Sequence, residues 1–150
     1  MTELGGNTAL DASALIEYLT GTPLGKILRE YFRTLSPDQT VTISIFTLAE
    51  TFYVLCRKKG EAFASQTIAE ILSSQIVDIL NSPDLAVDSG KLKCGRAISL
   101  AGCSCLVTAK YAKAKAVFAF KENELLREMK RRSLGIDVVF LEDLASNSGK

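Results

Sequence analysis

The chain has 150 residues, 47% hydrophobic and 23% charged, with a formal net charge of +1. That size and mixture specify one folded domain with a substantial core, and they exclude a disordered or low-complexity chain. The absence of histidine excludes Ser-His and Cys-His nucleophile pairs and histidine-held metals. Apolar runs are too short to cross a bilayer and no signal-peptide pattern opens the chain, so the expected compartment is the cytoplasm, with no membrane partner. Cys56, Cys94, Cys103 and Cys105 are then expected as reduced thiols. Cys103 and Cys105, two apart on a predicted helix, point to different faces, which argues against a shared zinc. The charge is uneven: residues 1–84 hold 6 Lys/Arg against 10 Asp/Glu, and residues 85–150 hold 12 against 7. The basic half fits a polyanion partner, and it fits solvated helix faces about as well.

In chain order, residues 1–7 read as a frayed lead-in and Thr8–Asp11 as a short strand. Ala14–Thr20 forms a helix with Leu15, Ile16 and Leu19 on one side. Gly21-Thr22-Pro23 ends it, with Thr22 as N-cap and Pro23 as the first residue of the next helix. That helix runs to about Leu35, with Leu24, Ile27, Leu28, Tyr31 and Phe32 at helical spacing. The alternating Val41–Ile45 predicts a second strand. It leads into a helix over Phe46–Lys59, with Leu48, Phe52 and Leu55 as its core stripe, stopped by Gly60. A longer helix is predicted over Glu61–Leu80, and a shorter one over Asp84–Lys93. Ile98–Ala112 follows as a helix capped by Ser99, with Leu100, Cys103, Leu106 and Val107 facing inward. Ala116–Phe120 is a third strand, Glu122–Ser133 a helix stopped by Gly135, Ile136–Leu141 a last strand, and Ser146–Lys150 a loose tail. Strands alternating with helices predict a mostly parallel α/β sheet covered on both faces.

Three segments place carboxylates at a strand end or helix start: Asp11, then Glu50, then Glu122 and Glu124. Right-handed βαβ connections bring such positions to one edge of the sheet. Converging acids hold Mg²⁺ or Mn²⁺, which activates water and orients attack on phosphorus. Taken singly, each acid is also explained as a cap or a first-turn residue. Arg127, Lys130, Arg131 and Arg132 lie further along the last of these helices. If the Arg127–Arg131 face borders the acidic mouth, it holds a phosphodiester backbone; otherwise these cations match the helix dipole. Lys110 and Lys113 read as surface residues. No P-loop or dinucleotide glycine motif is present. Ser13 stands where an aspartyl-phosphate enzyme would place a second Asp.

Four segments in order carry a resemblance to a known family. They are Leu10-Asp11-Ala12-Ser13-Ala14-Leu15-Ile16; Ile43-Ser44 with Leu48-Ala49-Glu50; Ile98-Ser99-Leu100-Ala101 with Thr108-Ala109-Lys110; and Ala116-Val117-Phe118 running into Glu122-Asn123-Glu124-Leu125. The chain resembles the PIN-domain family, and within it the VapC-type toxins, over about residues 8–141. The resemblance implies a three-layer α/β/α domain with a mostly parallel, twisted sheet and a metal-dependent endoribonuclease site. Asp11 and Glu50 match the first two acids that hold Mg²⁺ or Mn²⁺, and Glu122 or Glu124 matches the fourth. Ser13 matches a small polar residue supporting the first. The implied partners are RNA, a cognate antitoxin and a second copy of the chain in a homodimer, with apolar residues around Leu24–Phe32 and Phe46–Leu55 as its face.

The third acid of the pattern is absent. Where the resemblance calls for Leu-Ala-Asp, the chain reads Leu100-Ala101-Gly102. With Ser99 as N-cap, Gly102 falls at N3, where an acid would favour the helix dipole and glycine costs roughly 0.5–1 kcal/mol. Two functions stand side by side: a metal-dependent ribonuclease impaired at Gly102, and a non-catalytic module that binds a protein or RNA.

Overall fold

The structure, a computed structural model, describes residues 4–148. Its elements are β1 (Thr8–Leu10), α1 (Ala12–Leu19), α2 (Pro23–Arg33), β2 (Val41–Ser44), α3 (Ile45–Lys59), α4 (Glu61–Ser73) and β3 (Asp78–Leu80). They continue with α5 (Pro83–Gly95), α6 (Leu100–Ala112), β4 (Lys115–Phe118), α7 (Asn123–Arg131), β5 (Val138–Phe140) and α8 (Leu141–Ser148). The five strands form one sheet in the order β3-β2-β1-β4-β5, and every pairing is parallel.

Alternation along the strands divides the core into two halves. Leu10, Ile43 and Val117 face a cluster with Leu15, Leu28, Leu55, Ile68 and Leu141, drawn from α1–α4 and α8. Ala9, Ala116 and Phe118 face the other cluster, with Leu106 of α6 and Leu125 of α7. The result is a three-layer α/β/α arrangement, as a parallel sheet buried on both faces requires. Capping fixes the helix starts. Thr22 accepts from the Gly25 amide at 3.1 Å, and Ser44 accepts from the Thr47 amide at 2.9 Å. Gly25 lets α2 lie close against α1, because a Cβ there would run into the Glu17 carbonyl.

Several expectations need correcting. The helix expected over Glu61–Leu80 ends at Ser73, and Asp78–Leu80 is an edge strand paired with β2. Ser73 and Ser74 bend their hydroxyls back to the carbonyls of Ala69 and Ile71. Gln75 then takes a left-handed conformation (φ 59°) that no helix continues through. The lead-in is tied down where it is described: Asn7 Oδ1 accepts from the Thr40 amide at 2.9 Å, and the Tyr31 hydroxyl donates to Gly6 O at 2.5 Å. Residues 1–3 lie outside the described residues. The expected loose tail is helix α8 as far as Ser148, with Ser146 bonded to Glu142 O; residues 149–150 lie outside the described residues. Leu100 does not face inward but is 46% exposed at the start of α6. Among the apolar residues expected as a dimer face, Leu28 and Tyr31 are buried and Leu24, Ile27 and Phe32 pack against the core, leaving Tyr53 as a large exposed one. Among the described residues no helix is long and apolar enough to cross a membrane.

Candidate active site

β1 delivers Asp11 to the carboxyl edge of the sheet. Its amide donates to Val117 O of β4 at 2.9 Å, and its side chain caps α1. Ser13 donates to Asp11 Oδ2 from both its amide (3.0 Å) and its hydroxyl (2.7 Å). The same hydroxyl accepts from the Ala119 amide at 3.0 Å, just past β4. Ser13 therefore stitches two neighbouring strand ends together and holds the Asp11 carboxylate, in line with the supporting role that the resemblance implied for it. Burial pushes the Asp11 carboxyl above its ordinary range, partly offset by the bonds from Ser13 and Ala12.

Asp11, Glu50, Gly102, Glu122 and Glu124 all line one small cavity of about 40 Å³, with apolar walls that include Ile98, Phe118 and Leu125. That volume has room for an ion or a few waters. Glu50 lies on α3, and its carboxyl is pushed up by burial and then by the charges of Asp11 and Glu122. Glu122 sits at the N-cap of α7 but makes no side-chain capping bond. Its carboxyl is also pushed up by burial, then by Asp11 and Glu124. Hard oxygen donors crowded until they repel one another are the chemistry a divalent cation relieves. The donors are not yet closed around a point: among the described residues no three Asp, Glu or Cys side chains stand in ion-holding range.

Gly102 occupies the position expected for the missing acid. Its amide donates to Ser99 Oγ at 3.0 Å, so Ser99 is the N-cap the sequence predicts. A Cβ at 102 would meet Ile98 Cγ2 at 3.0 Å and Ser99 Oγ at 3.1 Å. The neighbours have closed in on the glycine, and an acid there needs both to yield slightly.

The profile of the PIN domain family matches residues 8–131 of this chain. The chain belongs to the PIN domain family. No curated protein matches it significantly. Solved PIN-fold structures resemble it at low identity. The VapBC-1 structure of nontypeable Haemophilus influenzae shares 21% identity, covers 90% of this chain and 98% of its own, and has a TM-score of 0.63. A DNA-bound VapBC of Salmonella typhimurium gives 18%, 91%, 99% and 0.65. The sarcin–ricin-loop-cleaving toxin VapC20 of Mycobacterium tuberculosis gives 17%, 81%, 94% and 0.62.

In this PIN domain the basic residues of α7 lie outside the lining of the acidic cavity. None of Arg127, Lys130 or Arg131 lines the cavity. Lys130 and Arg131 lie in the last turn of α7, at the opposite end from Glu122. Arg131 is engaged: it donates to Glu128 Oε2 (2.8 and 3.1 Å) and to Gly95 O (2.8 Å). Of the two readings of these cations, the bonds of Arg131 favour the helix-end one over contact with the acidic mouth.

Two supports of the PIN site gave no sequence signal. Arg96, 8% exposed, donates to the carbonyls of Glu128, Arg132 and Ser133 and lies 3.8 Å from Glu128 Oε2. It locks the segment that carries Ile98 and Ser99 onto α7, which carries Glu122 and Glu124. Glu128 is held below the ordinary carboxyl range, chiefly by Arg131. Ser44 and Ser104, 60 residues apart, bring their hydroxyls to 2.9 Å in the core. That contact joins the start of α3 to α6.

Proposed function

We propose that this chain is a VapC-type toxin scaffold, a cytoplasmic endoribonuclease using Mg²⁺ or Mn²⁺, with catalysis impaired at Gly102. The observation that supports this is the meeting of Asp11, Glu50, Glu122 and Glu124, from separate segments of the chain, in one cavity with position 102. Asp11 and Glu50 would hold the cation, with Glu122 and Glu124 completing the carboxylate set and Ser13 fixing Asp11. A divalent ion supplies there the charge that neutralises a phosphodiester and activates water for attack. Arg127 and Lys130 remain available for the RNA backbone. The VapBC complexes among the structural neighbours support an antitoxin as the protein partner, and a homodimer is the proposed assembly.

The second reading, a non-catalytic module acting through RNA or a protein partner, draws support from Gly102. A Cβ at position 102 would meet Ile98 and Ser99 at 3.0–3.1 Å, so a side chain there requires both to yield slightly. One experiment separates the two. Mn²⁺ is titrated by calorimetry into this chain and its Gly102→Asp form, and each is assayed on a mixed RNA pool. Metal binding and cleavage by the Asp form, weak or absent here, support the nuclease reading. Absence of both metal binding and cleavage in both forms rejects it.

A further inference from the structure

The cleft is acidic, and the strand it is read to cut is an anion, so that strand needs cations elsewhere to hold it. Apart from Arg127 and Lys130, three cations around the cleft are already engaged. Lys121 pairs with Asp143, Arg96 is buried beside Glu128, and Arg131 is bonded to Glu128 and Gly95. At the opposite edge of the sheet the balance reverses. From the cleft, α6 runs for 13 residues, roughly 20 Å, and ends at Lys110 and its cap Lys113. The chain then turns directly into β4 at Lys115.

Lys110, Lys113 and Lys115 line a hollow of about 560 Å³ together with Gly6, Gly135 and Asp137. Among the described residues no ion pair engages any of the three lysines, and Asp137 is the one acid in the lining. Lys113 is left-handed (φ 51°), at a place that helices ordinarily close with glycine or asparagine. The dipole of α6 accounts for cations at its C-terminus. It does not account for Lys115, which lies beyond the helix and faces the same hollow.

The lining also selects the ligand. Lysine is a point-charge partner for phosphate. Gly6 and Gly135, both at positive φ, put no side chain between backbone and ligand. Among the described residues no aromatic side chain lines the hollow, so bases have nothing there to stack on and contact is independent of sequence.

We propose that this lysine hollow is a second nucleic-acid site, which takes the phosphate backbone of an RNA strand whose other part lies in the acidic cleft. The proposal rests on the reading of the cleft as an RNA-cutting site. A strand joining the two spans at least about six nucleotides at a stacked spacing of 3.4 Å.

The test measures fluorescence anisotropy of a labelled 16-nucleotide oligouridylate over a salt series, in EDTA. Without metal the cleft repels RNA, so binding reports cations elsewhere. Wild type is compared with Lys110→Gln/Lys113→Asn; both positions are exposed, and asparagine tolerates the left-handed cap. The double variant is expected to bind about tenfold more weakly near 0.1 M salt. Its plot of log affinity against log salt should be shallower by ~1.4, about 0.7 for each lost phosphate contact. A slope identical to wild type overturns the proposal. Displacement of the RNA by polyglutamate at lower concentrations than by unlabelled oligouridylate also overturns it, in favour of an acidic protein partner. Cleavage of the same RNA by the Gly102→Asp form with Mn²⁺ separates the two failures. Cleavage with an unchanged slope overturns the hollow alone, whereas neither binding nor cleavage overturns the reading of the cleft as well.

Discussion

Two groups of carboxylates in this molecule sit in opposite electrostatic states. In the cleft, Asp11, Glu50 and Glu122 form no ion pair among the described residues and are pushed above their ordinary ranges, first by burial. Further along α7, Glu128 accepts from Arg131, has Arg96 beside it, and is held below its ordinary range. The chain therefore spends Arg96 and Arg131 on this clamp and not on the cleft acids. A paired carboxylate stabilises the fold, whereas an unpaired cluster is a cost the fold carries. Such perturbed clusters mark candidate sites for a ligand of opposite charge.

The largest expected effect comes from breaking the clamp. Arg96→Ala leaves the buried side of Glu128 without its cation and removes the Arg96 bonds to the carbonyls of Glu128, Arg132 and Ser133, and should destabilise the fold by about 3 kcal/mol. Urea denaturation followed by circular dichroism measures this. A loss below about 1 kcal/mol would mean that Arg131 alone satisfies Glu128.

Next in size is a change on the cleft side. Ser13→Ala removes the hydroxyl that both orients Asp11 and receives the Ala119 amide. In a Gly102→Asp background it should weaken Mn²⁺ binding by about 10- to 100-fold, read by calorimetry. An unchanged affinity would show that the Ser13 amide suffices to aim the carboxylate.

The smallest effect is in the pH dependence, where the two groups have opposite signs. The cleft acids bind protons more readily in the folded chain than at their ordinary values of 3.8 and 4.5. Their contribution is most favourable below those values and is lost as pH rises through the higher folded values. Glu128 does the reverse: its contribution is present above 4.5 and is lost as pH falls through its depressed value. Calorimetric melting of Asp11→Asn should therefore lose less stability than wild type between about pH 4 and pH 7. Parallel curves would remove Asp11 from the set of strained acids.

Most of the fold was legible because its signals are local. Thr22-Pro23 and Ser99 mark helix starts by chemistry that acts within three residues, and both cap as read, whereas Ser44, read as part of a strand, proves to cap α3. β3 was missed for the converse reason. Its apolar residues continue the helical spacing of α4, and only a left-handed turn at Gln75 and the exposed edge of β2 make them a strand. The acids were legible as strand-end and helix-start residues. Their convergence in one cavity was an expectation from topology alone.

The sequence by itself determined the parallel α/β architecture, the absence of histidine chemistry, and the glycine at position 102, because composition, periodicity and capping are properties of neighbours along the chain. Tertiary structure alone decided which cations are spent. Arg131 turns from the cleft to Glu128 and Gly95, Arg96 disappears into the core, and Lys110, Lys113 and Lys115 gather around a hollow at the opposite edge. Whether a charge is neutralised depends on what lies within about 4 Å of it in space, and partners 32 to 37 residues apart, as for Arg96, leave no periodic trace in the sequence.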